Sequence, residues 1–199
     1  MSNQIETQLE VQLENRNRLT TFFRPILIIP AYIFLTAFSN WASEENEIAT
    51  WTIGFLFFPT LLAIVFRGIY PSYALTFNQA LLDLSLRFTS YLLLLTDKYP
   101  SIEANETVKT TLPDVQGGRN LNRGLPLVKW FLALPLYFVG LVYSLYAGIY
   151  VVLAWFSIIL TGVMPTSAAD VICKVLSYWN RVTGYAFLLV TDEYPSFKL

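Results

Sequence analysis

The fold is decided by residues 125–163, which read LPLVKWFLALPLYFVGLVYSLYAGIYVVLAWFSIILTGV. The stretch is almost continuously apolar, and Lys129 is its one charged residue. A membrane-spanning helix needs ~20 apolar residues, so this stretch is long enough for two of them. We therefore predict two spans here, joined by a tight, uncharged turn near residues 140–148.

The composition of the whole chain favours a membrane protein. Of its 199 residues 55% are hydrophobic and 14% are charged, whereas roughly 25% of the residues in a soluble domain are charged. The net charge of −1 gives no sign of a nucleic-acid partner. The single cysteine, Cys173, cannot form an internal disulfide, and the chain contains no histidine.

Two earlier segments, residues 22–38 and 51–66, are apolar enough to complete a set of four spans. All 13 Lys and Arg residues lie within residues 1–24, 67–129 and 174–198, and none lies in the loop 39–50. Basic residues stay on the cytoplasmic side of a membrane. We therefore predict a multi-pass membrane protein with both termini in the cytoplasm and residues 39–50 outside.

Residues 72–95 and 166–190 are apolar but carry polar residues at helical spacing, which is typical of helices that lie in the membrane interface. In the second segment the polar residues recur at steps of four, three and four: Asp170, Lys174, Ser177 and Arg181. The first segment has a similar stripe of Thr76, Gln79, Asp83 and Arg87. Asp83 and Arg87 are spaced for an ion pair. A spanning helix whose stripe faces a bundle interior is the alternative, but it would place residues 98–129 outside.

The two halves of the chain resemble each other in sequence. The clearest match is TDKYPS at residues 96–101 with TDEYPS at residues 191–196. We therefore predict four parts: a cytoplasmic N-terminal segment 1–21, a first repeat 22–101, a cytoplasmic linker 102–122 and a second repeat 123–199. Each repeat would contain two spans and an in-plane helix, so the repeats would be parallel and related by an axis along the membrane normal.

The order of these motifs resembles the bacterial membrane-protein family known as domain of unknown function 4389, present here in tandem. The second half carries the better match, with Trp155-Phe156, Thr161-Gly162 and the terminal TDEYPSF at residues 191–197. The family pattern often has a histidine after the proline of the first span, where this chain has Ala31 and Leu136. The resemblance implies an all-helical, multi-pass protein of the bacterial inner (plasma) membrane and no established activity.

Two kinds of motif residue are expected to have structural roles. Pro30 and Pro135 should kink the spans that contain them, and the kinks could also frame a lipid cleft. The Asp-x-Tyr-Pro motifs should form turns, because proline disfavours helix at the residue before it. The motif residues are Asp97, Tyr99, Pro100, Asp192, Tyr194 and Pro195. Each aspartate could cap nearby backbone or pair with a cation on the same membrane face, namely Arg18, Arg24, Arg123 or Lys129.

Four further cations are candidate contacts for lipid head groups or a protein partner: Arg67, Arg87, Lys174 and Arg181. Arginine binds phosphate through forked hydrogen bonds, and anionic lipids attract cytoplasmic basic residues. The alternative is that these side chains only extend from the interface into water.

Enzyme chemistry has no support in the sequence. It contains no catalytic motif, no set of metal ligands and no residues typical of a cofactor site. We therefore expect a non-catalytic integral membrane subunit or scaffold that packs against a larger membrane partner or itself. A lipid-binding or lipid-handling protein is the alternative, and its ligands would be membrane lipids, possibly anionic ones.

Overall fold

A computed structural model describes residues 3–38, 54–103 and 107–199 of the chain. The predicted external loop 39–50 and the start of the predicted second span lie outside these residues. The described part is mainly helical. Its helices are α1 (Arg18–Leu27), α2 (Ile29–Thr36), α3 (Phe57–Leu62, continued by a π-helical turn Ala63–Arg67), α4 (Ser72–Leu92), α5 (Pro126–Leu132), α6 (Leu134–Thr161) and α7 (Thr166–Thr183, continued by a π-helical turn Gly184–Leu188). Two short strands, β1 (Glu6–Leu9) and β2 (Val108–Thr111), complete it.

The predicted turn at residues 140–148 is wrong, because α6 runs through it without a break for 28 residues. Gly140 and Gly148 both lie inside this helix. An interior glycine weakens a helix by ~1 kcal/mol relative to alanine, which long flanking apolar turns can offset. The helix ends instead at Gly162, whose φ of 77° is the left-handed conformation that commonly closes a helix.

The prediction of four membrane-spanning helices is also corrected. Within the described residues two helices are long and apolar enough to cross a membrane, Arg18–Thr36 and Leu134–Thr161. The predicted third and fourth spans are the single helix α5–α6, broken only at Ala133. The described part of the predicted second span forms Phe57–Arg67, which is a shorter apolar helix and falls short of the ~20 residues that a crossing needs.

Pro30 and Pro135 each follow a break between two helices. The helical bonds continue past Ile28 and Ala133, whose N–H groups donate to the carbonyls four residues earlier. Each proline has no N–H, so the carbonyl four residues before it loses its helical donor. The N–H group of Ile28 or Ala133 bonds to that carbonyl instead. The break at each proline is therefore local.

The long helix α6 packs against α7, and the two run antiparallel along their whole lengths. Near the start of α6, the Tyr178 hydroxyl donates to the Leu136 carbonyl at 2.8 Å. Near its end, Ile158 shares a buried cluster with Ala168. α1 also lies along α6, where the Phe22 and Trp155 rings stack at 6.1 Å, and α2 packs on α4.

The strands β1 and β2 form an antiparallel pair in which Glu6 is opposite Thr111. This small sheet lies across α4 and α7, on the side away from the apolar helices. The Asn180 side chain donates to Thr7 Oγ1 at 2.8 Å, and the Thr110 N–H donates to Asp83 Oδ1 at 2.9 Å. The fold therefore has three layers: the sheet, then α4 with α7, then the apolar layer of α1, α2, α3, α5 and α6.

The polar stripe of α4 is not the wet surface that the sequence predicts. Arg87 is buried, and Gln79 and Asp83 are half-buried under β2. Asp83 accepts from the Thr110 backbone and hydroxyl, and no ion pair with Arg87 is found within the described residues. The stripe is covered because the predicted linker supplies strand β2, whose Thr110 bonds to Asp83 and to Gln79.

Candidate functional site

A buried cluster of charged side chains joins the start of α1 to the turn that follows α4. Arg24 Nη2 lies 2.6 Å from Asp97 Oδ1, and Arg16 Nη2 lies 2.8 Å from the same oxygen. Both arginine side chains are almost completely buried, whereas the carboxylate keeps 15% of its exposure. We call Arg16, Arg24, Tyr91 and Asp97 the first polar cluster.

Backbone oxygens satisfy much of the Arg24 guanidinium. Its Nη1 donates to the Tyr91 carbonyl at 2.6 Å and to the Thr96 carbonyl at 2.9 Å. The guanidinium carbon lies 4.3 Å from the centre of the Tyr91 ring, within the range of a cation–π contact. The arginine thereby fixes the end of α4 to α1.

A second polar cluster, Lys129, Tyr185 and Asp192, has the same kinds of contact in the other half. Lys129 Nζ lies 2.6 Å from Asp192 Oδ1 and 5.2 Å from the centre of the Tyr185 ring. It also donates to the Thr191 carbonyl at 2.7 Å. The Asn122 N–H donates to Asp192 Oδ2 at 2.5 Å, as the Asn17 N–H does to Asp97 Oδ2 at 2.7 Å.

The aspartates therefore pair with two of the four cations considered from sequence. Arg24 and Lys129 form the ion pairs. Arg18 and Arg123 stay exposed and lie beside Gly162 and Gly68, at the ends of α6 and of the α3 turn.

The tyrosine and proline of each TDxYPS motif close the turn over its cluster. The Tyr99 ring packs edge-to-face on Tyr91 at 5.6 Å, and the Tyr194 ring on Tyr185 at 5.5 Å. Pro100 and Pro195, which follow these tyrosines, are buried. Each motif thus holds the end of one helix against the start of another.

The comparisons with known proteins bear on the second of these clusters. The family model Domain of unknown function (DUF4389) matches residues 126–198. This match supports the family resemblance seen in the sequence, and the matched region contains the whole second polar cluster. No curated protein matches the chain, and no solved structure matches it.

Within residues 3–38, 54–103 and 107–199, all but one of the other candidate contacts have partners in the protein. Arg87 Nε donates to the Ser101 carbonyl at 2.9 Å, and Arg181 Nη2 donates to the Lys198 carbonyl at 2.7 Å. Lys174 pairs with Asp170 at 2.8 Å on the exposed side of α7. Arg67, at the end of the α3 turn, is exposed. Burial lowers the pKa of both Arg87 and Arg181.

The two clusters differ in charge. The first has two cations for one carboxylate, whereas the second has one for one. Leu121 stands 105 residues after Arg16, in the place where the second half would have its second cation. Burial lowers the pKa of Arg16 and Asp97 opposes that shift, but a guanidinium stays charged in proteins. The first cluster therefore keeps a net positive charge.

A groove of about 200 Å³ opens beside the first polar cluster, between α1 and α6. Thr21 and Arg24 lie at its polar end, and its apolar walls are Pro25, Leu92, Leu94, Val151, Val152 and Trp155. Thr21 Oγ1 and Arg24 Nε are buried and have no hydrogen-bond partner in the described part of the chain. Such buried polar atoms are rare because each costs ~1–3 kcal/mol.

Sequence reasoning missed Arg16 and Thr21. Arg16 lies in a polar N-terminal segment where a buried side chain is not expected, and Thr21 directly precedes the apolar run. The one available signal is a difference between the halves. Arg16 precedes Asn17-Arg18 in the first half, whereas Leu121 precedes the matching Asn122-Arg123 in the second. Within the described residues no group of three or more His, Cys, Asp or Glu side chains could hold a metal.

Proposed function

We propose that the protein is a non-catalytic integral membrane subunit or scaffold that packs against a larger membrane partner or a second copy of itself. The observation that carries the proposal is one continuous exposed apolar stripe along α6. Its residues follow at steps of three and four, and each is more than half exposed: Phe138, Leu141, Leu145, Ile149, Val152, Phe156 and Leu160.

A core helix of a soluble protein offers no alternative account of this stripe. Only 17% of the most apolar window of α6 is buried inside the protein, and only 22% of that of Arg18–Thr36. A soluble monomer rarely exposes an apolar patch of more than a few hundred Å². Lipid or an apolar protein partner is the environment in which this surface is stable.

The polar clusters fit a structural role better than a catalytic one. Asp97 and Asp192 are each held by a cation and by a backbone N–H. Neither carboxylate is left free to act on a substrate, and each holds the end of a helix in place.

The matching contacts of the two polar clusters also favour a tandem duplication. We infer this duplication together with a bacterial inner-membrane location and cytoplasmic termini.

A fractionation experiment tests this proposal. We expect the protein to stay in the membrane pellet after an alkaline carbonate wash, and to release when Leu145→Glu and Ile149→Glu are combined. The control is Asp170→Glu with Lys174→Arg, which changes an exposed ion pair on α7 and preserves its charge. Release of the unaltered protein into the supernatant would contradict the proposal.

Lipid binding is a second candidate function, and the groove beside the first polar cluster favours it. The excess positive charge of the first polar cluster would favour an anionic head group at the groove that Thr21 and Arg24 help to line. The walls would hold part of an acyl chain.

Quenching of Trp155 tests this candidate, because its ring lines the groove. We expect phosphatidylglycerol with brominated chains to quench that fluorescence more than brominated phosphatidylcholine, with Trp155→Phe identifying the signal. Val152→Phe should block the effect, whereas Leu153→Phe, an exposed neighbour outside the groove, should not. Equal quenching by both lipids would contradict a specific site.

A further inference from the structure

We propose that the apolar layer lies flat in one leaflet of the membrane, so that α6 runs along the bilayer surface and does not cross it. The second layer and the sheet would then face the water. This inference rests on the proposed membrane function and deepens it, because it names the surface that meets lipid and the direction from which the protein meets it.

The first argument is that α6 cannot cross a bilayer by itself. α7 accompanies it from Leu136, which bonds to Tyr178, to Ile158, which packs near Ala168. In between, the Trp179 indole donates to Ser144 Oγ at 2.9 Å. A crossing by α6 would therefore take α7 through the hydrocarbon region as well.

α7 is too polar for that region. Asp170 and Lys174 form an exposed ion pair whose side chains keep 61% and 50% of their exposure. Asp and Lys at the centre of a membrane helix cost ~2.5–3.5 kcal/mol each on insertion scales. Their exposure means that no other element of the described structure shields them, so hydrocarbon would meet them directly.

The small sheet packed on α7 and α4 also argues against a crossing of the bilayer by these helices. It meets α4 at Asp83, in the middle of that helix, and α7 at Asn180, three residues before its end at Thr183. Val108 of β2 also shares a buried cluster with Ile172, in the middle of α7. Glu6 and Lys109 on its strands are exposed. A two-stranded sheet also has open edges, and unpaired backbone groups do not occur against lipid. Neither helix can therefore stand upright in a bilayer while the sheet stays in water.

The dimensions of the apolar layer suit an in-plane arrangement. The residues from Pro126 to Thr161 form nearly continuous helix, which at 1.5 Å per residue is about 54 Å long. The hydrocarbon core is only ~30 Å thick. The exposed stripe of α6 continues from Phe138 to Leu160 without a polar end, as a helix lying along the surface requires.

The charges at the edge of the layer favour lipid over a second copy of the protein. Arg18, Arg67 and Arg123 are exposed, and they stand where apolar helices begin or end. Anionic lipid head groups attract such residues by ~1 kcal/mol each. Two copies packed face to face would instead bring positive edges together. The surface thus joins apolar area to a cationic edge, the combination that a membrane surface binds.

Spin-label depths in vesicles of equimolar phosphatidylcholine and phosphatidylglycerol test the inference. Labels would be placed by Phe138→Cys, Ile149→Cys and Leu160→Cys in a Cys173→Ser background. The outer pair are separated by about 33 Å along the helix. We expect all three labels at one shallow depth, ~5–10 Å below the head groups. An Asp170→Cys label serves as the water-exposed control.

A second measurement uses an impermeant maleimide on Arg123→Cys and Thr166→Cys, which flank α5–α6. We expect both to react from the same side of sealed vesicles. A label at Ile149 about 10 Å deeper than its neighbours, or reaction from opposite sides, would overturn the in-plane arrangement while leaving membrane residence intact. A protein that is soluble without detergent as a face-to-face dimer would overturn both proposals.

Discussion

Lys129 Nζ lies 2.6 Å from Asp192 Oδ1, and the two partners of this ion pair differ in their access to water. The lysine side chain is completely buried, whereas the carboxylate keeps 22% of its exposure. Removing one partner of a buried pair is costly mainly because of the charge that is left behind. The consequences of losing each partner should therefore be unequal.

We expect Asp192→Asn to lower the free energy of unfolding by ~3–5 kcal/mol, because it leaves a buried ammonium without a counter-charge. Lys129→Met should cost less, since the remaining carboxylate can reach water and still accepts from the Asn122 N–H. The double variant should be more stable than Asp192→Asn alone. Thermal unfolding in detergent measures all three, with exposed Lys174→Met as the control, for which a change of at most ~1 kcal/mol is expected.

Arg181 holds the C-terminal segment through its bonds to the Lys198 carbonyl at 2.7 Å and the Ser196 hydroxyl at 3.3 Å. A hydrogen bond from a charged group contributes ~1.5–3 kcal/mol, which corresponds to about 10–150-fold in a local opening equilibrium. Arg181→Met should therefore speed the release of the last residues by carboxypeptidase within that range. Arg87→Met, which leaves Arg181 in place, should not change the rate; if it did, the effect would be global unfolding.

The first polar cluster shows which part of the candidate site can be predicted from the sequence. The paired TDxYPS motifs placed Asp97 and Asp192 near basic residues, but Arg18 and Arg24 were equal candidates. The choice depends on which face of α1 meets α4, and that is set by packing between distant helices. Arg24 faces Tyr91 and is buried, while Arg18 faces outward. No local pattern contains this information.

The two errors in the fold have different physical origins. The apolar length of residues 125–163 predicts two spans, although nothing in the sequence between Gly140 and Gly148 stops a helix. The strands β1 and β2 were missed because each has four residues and pairs with a partner about 100 residues away. Such pairing is decided by the polar faces of α4 and α7, which need hydrogen-bond partners.

Cys173 should react slowly with alkylating reagents, because burial and the nearby Asp170 raise the pKa of its thiol to about 11. Only the thiolate is nucleophilic. In the folded protein the rate should rise about tenfold per pH unit up to about pH 11, while in the denatured protein it should level off above the ordinary value of ~8.5. Stopped-flow reaction with a maleimide checks this. Equal profiles for both states would show that the thiol is not shielded.

Gly140 and Gly148 provide a matched pair of substitutions in one helix. A Cβ at Gly140 would lie 2.7 Å from Trp179 Cζ2, whereas a Cβ at Gly148 would meet nothing within 4 Å. The Trp179 ring is held by its bond to Ser144, so it cannot move aside without losing that bond.

We expect Gly140→Ala to destabilise the protein by ~1–3 kcal/mol, because it overpacks the contact between α6 and α7. Gly148→Ala should instead stabilise it by ~0.5–1 kcal/mol, since alanine is the better helix former and no contact opposes it. Thermal unfolding of both variants in the same detergent gives the comparison. Opposite signs require that α6 be one continuous helix with α7 on a single face. A loss of stability from Gly148→Ala equal to that from Gly140→Ala would instead indicate a turn in this region, as a pair of spans would need.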